Sequence, residues 1–572
     1  MTEGVRERAP ASGDGRLPRH VRMLLRLSAR GLPRPVCDVA VERDIAVPAG
    51  DGVPLLTDHY IPLTDGPCPA LLVRCPYGRG FPWDHVYGAL FARQGFHVVL
   101  QSCRGTGGSG GQFEPFVSEA ADGQAAVAWL RQQDWFSGAL GTAGASYLGY
   151  TQWALAADPP PELRAMIVQV GADDFHGFLY PGGTFALEAT LVGTAAMLSM
   201  DRGFARFCLA TARLLRHYRR AERALPLIDA YPPAFGRRAT FFEQWLAHPD
   251  PADPYWPPRR ARPDTARMPP ASLLTGWWDV CLDPTLAMYR RLRAAGREVR
   301  LVVGPWNHTS GFSTDMPVLL GEALGWLRSH LGGAGDSGAA KPVRVHVSET
   351  GGPGEWRDLP DWPPPGFAAQ PWHLHGDGTL ATAPPARAAV SSLHYDPARP
   401  TPSVGGPSMD SRAAGSRRNG RLEARPDVLV FTSAALREPV EVIGPVSIAL
   451  RARGSGPHFD LFARLCDVDP RGRSWNVCDG LVRLGTGATA AAGPGGRPWS
   501  DVTVPMSATA HRFAAGHRIR VQVSGGAHPR FMRNTGTGEP LATATRLVPV
   551  DIEISHGPGQ QCVLSLPAAA VM

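Results

Sequence analysis

Chemistry enters this chain at Ser146, inside the run LGTAGASYLGYTQWALA that begins at Leu140. A short apolar strand turns there through Gly144-Ala145-Ser146-Tyr147-Leu148-Gly149 into a helical pattern. A serine at such a turn has its hydroxyl lifted above the sheet, and the tightness of the turn calls for glycine on either side. The following helix points its N-terminus, with free N–H groups and partial positive charge, at the place where an oxyanion would form. Ser146 is therefore the candidate nucleophile.

A serine nucleophile needs a base, and the base needs an orienting acid. In α/β-hydrolases the chain order is Ser, acid, His, each on a loop at the carboxyl end of a strand. Asp279 is the best-placed acid, because LLTGWWDV sets it directly past an apolar strand; Asp283 is the alternative. His308 is the best-placed base, because VRLVVGPWNH sets it past the next strand. His176, His217, His248 and His330 fall in an inserted helical region or at a helix end and are worse placed. Two donors must also meet the developing oxyanion, each contributing roughly 3–4 kcal/mol. The Tyr147 backbone N–H is one. The other should come from Arg74-Cys75-Pro76-Tyr77-Gly78-Arg79-Gly80, where the phenol of Tyr77, stiffened by Pro76, has the reach.

One motif points elsewhere. Gly105-Thr106-Gly107-Gly108-Ser109-Gly110 matches the dinucleotide pattern G-x-G-x-x-G after a strand. The residues that follow, Gly111 to Pro115, cannot open the helix that nucleotide binding requires, so no nucleotide cofactor is expected.

Apolar runs at Ala70–Val73, Val98–Leu100, Leu140–Thr142, Met166–Val170, Ser272–Leu274 and Val299–Val303 alternate with helical stretches such as Glu119–Gln132. Short apolar strands alternating with helices predict a parallel sheet covered on both faces. Residues 41–62 predict an edge hairpin around Gly50-Asp51-Gly52. The alternation is interrupted over 173–268, where Ala186–Met200, Phe204–Arg220 and Phe241–Ala247 predict a helical cap that shapes access and excludes water. After the flexible linker Gly332–Ala340 the periodicity becomes two, with turn residues between strands, which predicts an all-β jelly roll over 343–572. The expected organisation is thus a basic extension at 1–35, a catalytic domain at 36–172 and 269–331, a cap at 173–268, a linker at 332–342 and the jelly roll.

A chain of 572 residues is long enough for two to four cores. The net charge of +7 suggests nucleic acid until it is located: residues 1–36 hold eight arginines against three acids, so the other 536 residues carry only +2. That near-neutral body argues against a nucleic-acid partner. No apolar run approaches the ~18–20 residues of a membrane span. The nine cysteines are scattered with no C-x-x-C, suggesting neither zinc nor a disulfide framework. The start MTEGVRERAPASG lacks the apolar core of a secretory signal, so a cytoplasmic protein is expected. Residues 17–31 place apolar and arginine residues on separate helical stripes, and the expectation is a helix docked on its own domain or a disordered segment, with a membrane-surface or partner helix as the alternative. The oligomeric state is left open, a homodimer included.

These residues resemble the cocaine esterase and X-prolyl dipeptidyl peptidase family of serine hydrolases, which includes α-amino acid ester hydrolases. The matching motifs run in order: Pro76-Tyr77, RGTGGSGG at 104–111, GASYLGYTQWALA at 144–156, PGGTF at 181–185, GWWD at 276–279, GPWNH at 304–308, EWRDLPDWPPP at 355–365, and RPDVLVFTS, GPVSIAL, AGHRIRVQVS and PRFMRNTGTGE farther on. The resemblance implies an α/β-hydrolase with a cap and a C-terminal jelly roll, a Ser146–Asp279–His308 triad, Tyr77 and Tyr147 as oxyanion donors, and no metal or cofactor. Three features depart from it. Gln101-Ser102-Cys103 stands before Arg104-Gly105, where the family often has an Asp. The early cap lacks the tryptophans of members acting on aryl esters and offers Phe175, Phe178, Tyr180 and Phe185, so a different or roomier acyl pocket is expected. The acidic cluster that would recognise a free α-amine is not evident. Trp278, Phe178 and Phe185 are the candidate substrate-binding residues. The expected activity is hydrolysis of a carboxylic ester or amide through an acyl-enzyme; acyl transfer by the same triad and an inactive binding scaffold are the alternatives.

Overall fold

The computed structural model describes residues 31, 33–332, 341–485 and 498–569. Most of the expected N-terminal extension with its 17–31 helix, and nearly all of the expected linker, lie outside the described residues.

The catalytic sheet is built from β1 (Asp38–Pro48), β2 (Pro54–Leu63), β3 (Ala70–Cys75), β4 (His97–Ser102), β5 (Leu140–Ala145), β6 (Leu163–Gln169), β7 (Ala271–Trp278) and β8 (Val299–Asn307). β1 and β2 form the antiparallel edge hairpin, and β2 pairs with β4. From there the order is β4-β3-β5-β6-β7-β8, all parallel. The inner strands are apolar at consecutive positions because both faces are covered. In β3, Leu71 and Val73 enter one core while Ala70 and Leu72 enter the other, the two-residue alternation of a strand. Helices Glu119–Leu130 and Tyr147–Leu155 cover one face and Met316–Leu331 the other.

Between β6 and β7 the chain leaves the sheet as helices, the longest being Leu187–Met197, Phe204–Arg223 and Thr240–Ala247. Their aromatic core of Phe185, Tyr231, Phe242 and Trp245 merges with the core beneath β5.

Two further strands differ from the expected assignment. β9 (Val343–Glu349), expected in the jelly roll, pairs parallel with β8, and β10 (Glu355–Leu359) pairs antiparallel with β9, so both extend the catalytic sheet. The period-two pattern of Val343–Val347 fits either sheet; the open edge of β8 is what decides. Only from Phe367 onward does the chain form the sandwich. One sheet contains Val440–Gly454 flanked by Ser500–Phe513 and Val563–Ala569. The other runs Val428–Thr432, Arg518–Ser524, Phe459–Val468, Ser474–Leu484. Leu461, Leu465, Ile448, Val504 and Val521 lie in the core of the sandwich.

The sandwich is pressed against cap and catalytic sheet. A Cβ on Gly182 would stand 1.8 Å from the carbonyl oxygen of Leu481, so the cap backbone reaches the sandwich only as glycine. The buried carboxylate of cap residue Glu188 accepts from Ser408 Oγ at 3.0 Å and from the Asp410 amide at 2.9 Å, which pins the intervening Met409.

Candidate active site

Ser146 sits at the end of β5 with φ 58° and ψ −119°, a left-handed conformation that L-residues rarely adopt. Such strain persists only where the surroundings over-determine it. Here the Ser146 amide donates to the Gln169 carbonyl (2.9 Å), and the Ser146 carbonyl accepts from the Gly149 amide (2.9 Å). The neighbouring glycines follow from space. A Cβ on Gly144 would meet the Leu148 Cβ at 2.3 Å, and one on Gly149 would stand 3.1 Å from the Gly171 Cα.

His308 follows β8 and Asp279 follows β7, so the parallel β7–β8 pairing carries both to the same sheet end as Ser146. His308 Nε2 lies 3.0 Å from Ser146 Oγ, and His308 Nδ1 lies 2.8 Å from Asp279 Oδ1. Asp279 is 1 % exposed. Its carboxylate also accepts from Thr275 Oγ1 at 2.7 Å and from the Cys281 amide at 3.1 Å, which fix its orientation. Asp283 is elsewhere: its carboxylate accepts from Ser507 Oγ at 3.0 Å, on a crevice facing the sandwich, and burial holds its pKa above the usual carboxylate range. The cap histidines are occupied too, His176 by the Pro249 carbonyl and His248 by Asp253.

The Tyr77 phenol is within hydrogen-bonding reach of both the Ser146 side chain and the Tyr147 amide, and burial pushes its pKa well above that of a free phenol. It is a neutral donor at any working pH. Its ring stacks on Trp83 with centroids 5.3 Å apart. The Gly105–Gly111 loop supports this segment. Arg79 donates to the Gly107 carbonyl (3.0 Å), to Ser102 Oγ (2.7 Å) and to Asp58 (2.9 Å), tying the Tyr77 loop to the glycine loop. Gly107, at φ 53°, has no room for a Cβ, which would lie 2.4 Å from Ser102 Oγ. At the departure from the family pattern, Ser102 accepts the arginine and Gln101 Oε1 accepts from Arg74 Nε at 3.0 Å.

A cavity of about 90 Å³ opens beside Ser146 and His308. Aromatic rings, among them Phe116, Tyr150, Phe175, Phe178 and Trp245, line it together with small and apolar side chains, and no Asp, Glu, Lys or Arg does. Where a different or roomier acyl pocket is expected, the structure has this cavity, with Trp245 from the last long cap helix and Met409 from the sandwich among its lining residues. Of the three candidate substrate-binding residues, only Phe178 lines this cavity. Phe185 is fully buried in the cap core, its ring 5.3 Å from that of Tyr180. Trp278 lines a separate cavity of about 240 Å³ with Trp475 and His511. It is the last residue of β7, past the register shift between Gly276 and Trp278 and just before the turn at Asp279.

Phe116, Glu119, Trp245, Thr275 and Met409 escape sequence reasoning. Each is an unremarkable member of a loop, helix or strand, and only the approach of distant segments brings it to the site. The arrangement joins a hydroxyl that lines the cavity, an imidazole able to take its proton, a buried carboxylate to orient the imidazole, and two donors beside the hydroxyl, the parts that acyl transfer to serine requires.

Comparison with known proteins agrees. Residues 51–310 match the X-Pro dipeptidyl-peptidase (S15 family) model, and residues 337–565 match the X-Pro dipeptidyl-peptidase C-terminal non-catalytic domain. The chain is 32% identical to a cocaine esterase of Rhodococcus sp. (strain MB1 Bresler) over 548 residues, covering 88% of this chain and 94% of that protein. Among solved structures, an aminopeptidase from a Thaumarchaeota archaeon superposes with a TM-score of 0.78 at 21% identity, covering 94% of this chain and 98% of that one. An α-amino acid ester hydrolase superposes with a TM-score of 0.76 at 21% identity, with the same coverage. Both share the fold. An α/β-hydrolase core carrying a serine at its elbow and a β-sandwich behind it, the chain belongs to the cocaine esterase and X-Pro dipeptidyl-peptidase family of serine hydrolases, enzymes that cleave carboxylic esters or amides.

Proposed function

We propose that Ser146, His308 and Asp279 form the catalytic triad, and that the hydrolysed bond carries a small, uncharged, apolar acyl group. The observation that carries this reading is the unbroken chain from Ser146 Oγ to His308 (3.0 Å) to Asp279 (2.8 Å), ending beside a charge-free cavity of about 90 Å³. His308 takes the Ser146 proton as the hydroxyl attacks the carbonyl. The Tyr77 hydroxyl and the Tyr147 amide receive the oxyanion, and Asp279 holds the imidazole tautomer and stabilises the imidazolium. His308 then protonates the leaving group and activates the water that releases the acid. Catalysis belongs to segments 36–172 and 269–331, with the 173–268 cap restricting access.

The charge-free cavity disfavours free α-amine recognition, which needs an acidic partner for the ammonium. The nine cysteines, all free and seven of them buried, support the expected cytoplasmic location.

The test is labelling of the purified chain with a fluorophosphonate, comparing Ser146→Ala and locating the adduct by peptide mass. The reading expects one adduct at Ser146, lost in the variant together with hydrolysis of p-nitrophenyl butyrate. Folded wild-type protein that remains unlabelled at Ser146 and inert toward the ester overturns it.

A further inference from the structure

Phe116 has φ 72°, in the left-handed region that a bulky residue avoids. It is the third residue of the turn Glu114–Val117, after Pro115, a position with positive φ that is usually glycine, and it is 4 % exposed on the wall of the cavity beside Ser146. A strained residue at a binding wall requires something to hold it. The holders are identifiable. The Phe116 amide donates to Tyr147 Oη at 2.8 Å, and its carbonyl accepts from Tyr150 Oη at 3.0 Å. Both tyrosines belong to the helix that starts directly after Ser146.

The clamp continues inward. Tyr147 Oη donates to Glu119 Oε1 at 2.9 Å, and Glu119 Oε2 pairs with Arg74 Nη1 at 2.9 Å, with Glu119 at 1 % and Arg74 at 3 % exposure. Arg74 Nη1 also donates to the Glu119 carbonyl and Arg74 Nε to Gln101, so the ion pair is anchored to β3 and β4. A single run of hydrogen bonds therefore leads from the sheet through Glu119 and the Tyr147 hydroxyl to the Phe116 backbone. At its far end the Phe116 ring stands 3.9 Å from Phe175, 4.6 Å from Tyr147 and 4.7 Å from Tyr150, centroid to centroid. Among the described residues no hydrogen bond joins this run to His308 or Asp279. It serves the wall of the cavity.

We propose that Phe116 determines acyl-group specificity, and that Glu119 and the Tyr147 hydroxyl are positioning residues that hold its ring in the cavity and keep the accepted acyl group short. This rests on the reading of the cavity as the acyl pocket. Phe116→Gly deletes the ring and fits the left-handed backbone without strain, so it lengthens the pocket and leaves the loop in place. Tyr147→Phe retains both the ring and the backbone N–H beside Ser146. It leaves the Phe116 amide and Glu119 Oε1 without partners, so the strained residue is free to relax outward.

The experiment measures kcat/KM of the full chain and its variants for p-nitrophenyl acetate, butyrate and hexanoate, with fluorophosphonate labelling and thermal melting alongside. Wild type should lose activity from butyrate to hexanoate. Phe116→Gly should raise the hexanoate-to-acetate ratio about tenfold or more, within the range that one or two methylenes command in a fitted pocket. Tyr147→Phe should raise it in the same direction by a smaller factor, visible mainly in KM for hexanoate. Phe116→Gly should melt no lower than Phe116→Ala, since alanine keeps the strain; should neither fold, Phe116→Leu provides the ratio. A ratio within twofold of wild type in a folded variant that still labels at Ser146 overturns the proposal, whether or not the melting temperature has moved. Wild-type protein that does not label at Ser146 instead overturns the triad reading on which it rests.

Discussion

Asp279→Asn tests the part of the site that does no bond-making. Asp279 Oδ1 accepts from both the Cys281 amide and His308, while Oδ2 accepts from the Thr275 hydroxyl. Of the two ways to place an asparagine amide, only one is compatible with the Cys281 N–H: oxygen at Oδ1, nitrogen toward Thr275, whose hydroxyl can turn to accept. His308 then still finds an acceptor at Nδ1, and the imidazole keeps the tautomer that leaves Nε2 free to take the Ser146 proton. What is lost is the charge. A carboxylate about 4 Å from the centre of the imidazolium contributes about 4 kcal/mol at an effective dielectric of 20, which corresponds to about a 10³-fold fall in kcat. The opposite amide orientation would trap the wrong tautomer and cost about 10⁴-fold. The assay is kcat and KM for p-nitrophenyl butyrate, with thermal melting to show that the fold survives. The structure expects a fall near 10³ carried by kcat, with KM nearly unchanged. A folded variant retaining more than a tenth of wild-type kcat would refute the reasoning, since no other carboxylate touches His308 among the described residues.

Three more predictions test other parts of the molecule. Tyr77→Phe removes one donor beside Ser146 and leaves the ring on Trp83, so kcat should fall about 10²–10³-fold with an unchanged melting temperature, checked by ester kinetics and calorimetry. Burial lowers His59 to about 3 and His97 to about 4; the two rings are hydrogen-bonded at 3.0 Å and both stack on Trp135. The unfolded chain binds these protons below about pH 6.5 and the native state does not, so stability should fall with decreasing pH between about 6.5 and 4. Each histidine contributes at most about 1.4 kcal/mol per pH unit, and urea titrations of wild type and His97→Leu should show a shallower slope in the variant. In the sandwich, Asp479 pairs with Arg464 at 2.9 Å, both at 0 % side-chain exposure, and also with Arg530. Asp479→Ala leaves a buried guanidinium unpaired and should destabilise by about 3–5 kcal/mol in urea, without changing the ester-length preference.

The sequence by itself determined those features that are local. The glycines around Ser146 mark the elbow because the clash that excludes a side chain at 144 comes from Leu148, four residues away. The strands of the sheet follow from alternating apolar runs, and the positions of Asp279 and His308 follow from each residue's place just past its own strand. Tyr77 was legible for the same reason, as the end of β3 delivers it. The tertiary structure alone decided the pocket. Phe116, Phe178, Trp245 and Met409 converge from four separate segments, and which ring of a phenylalanine-rich cap faces inward depends on packing that no periodicity encodes. Phe178 and Phe185 are close in the chain, yet one lines the cavity and the other fills the cap core. Trp278 and Asp279 are adjacent and line different cavities, because β7 breaks register between Gly276 and Trp278 and the chain turns at Asp279, whose amide donates to the Gly276 carbonyl. The assignment of β9 to the catalytic sheet was likewise a matter of which edge offered partners. Each proposed catalytic residue is marked by the turn that follows its own strand, so it can be read along the chain, whereas the meeting of Ser146, His308 and Asp279 and the wall of the cavity arise from contacts between distant segments.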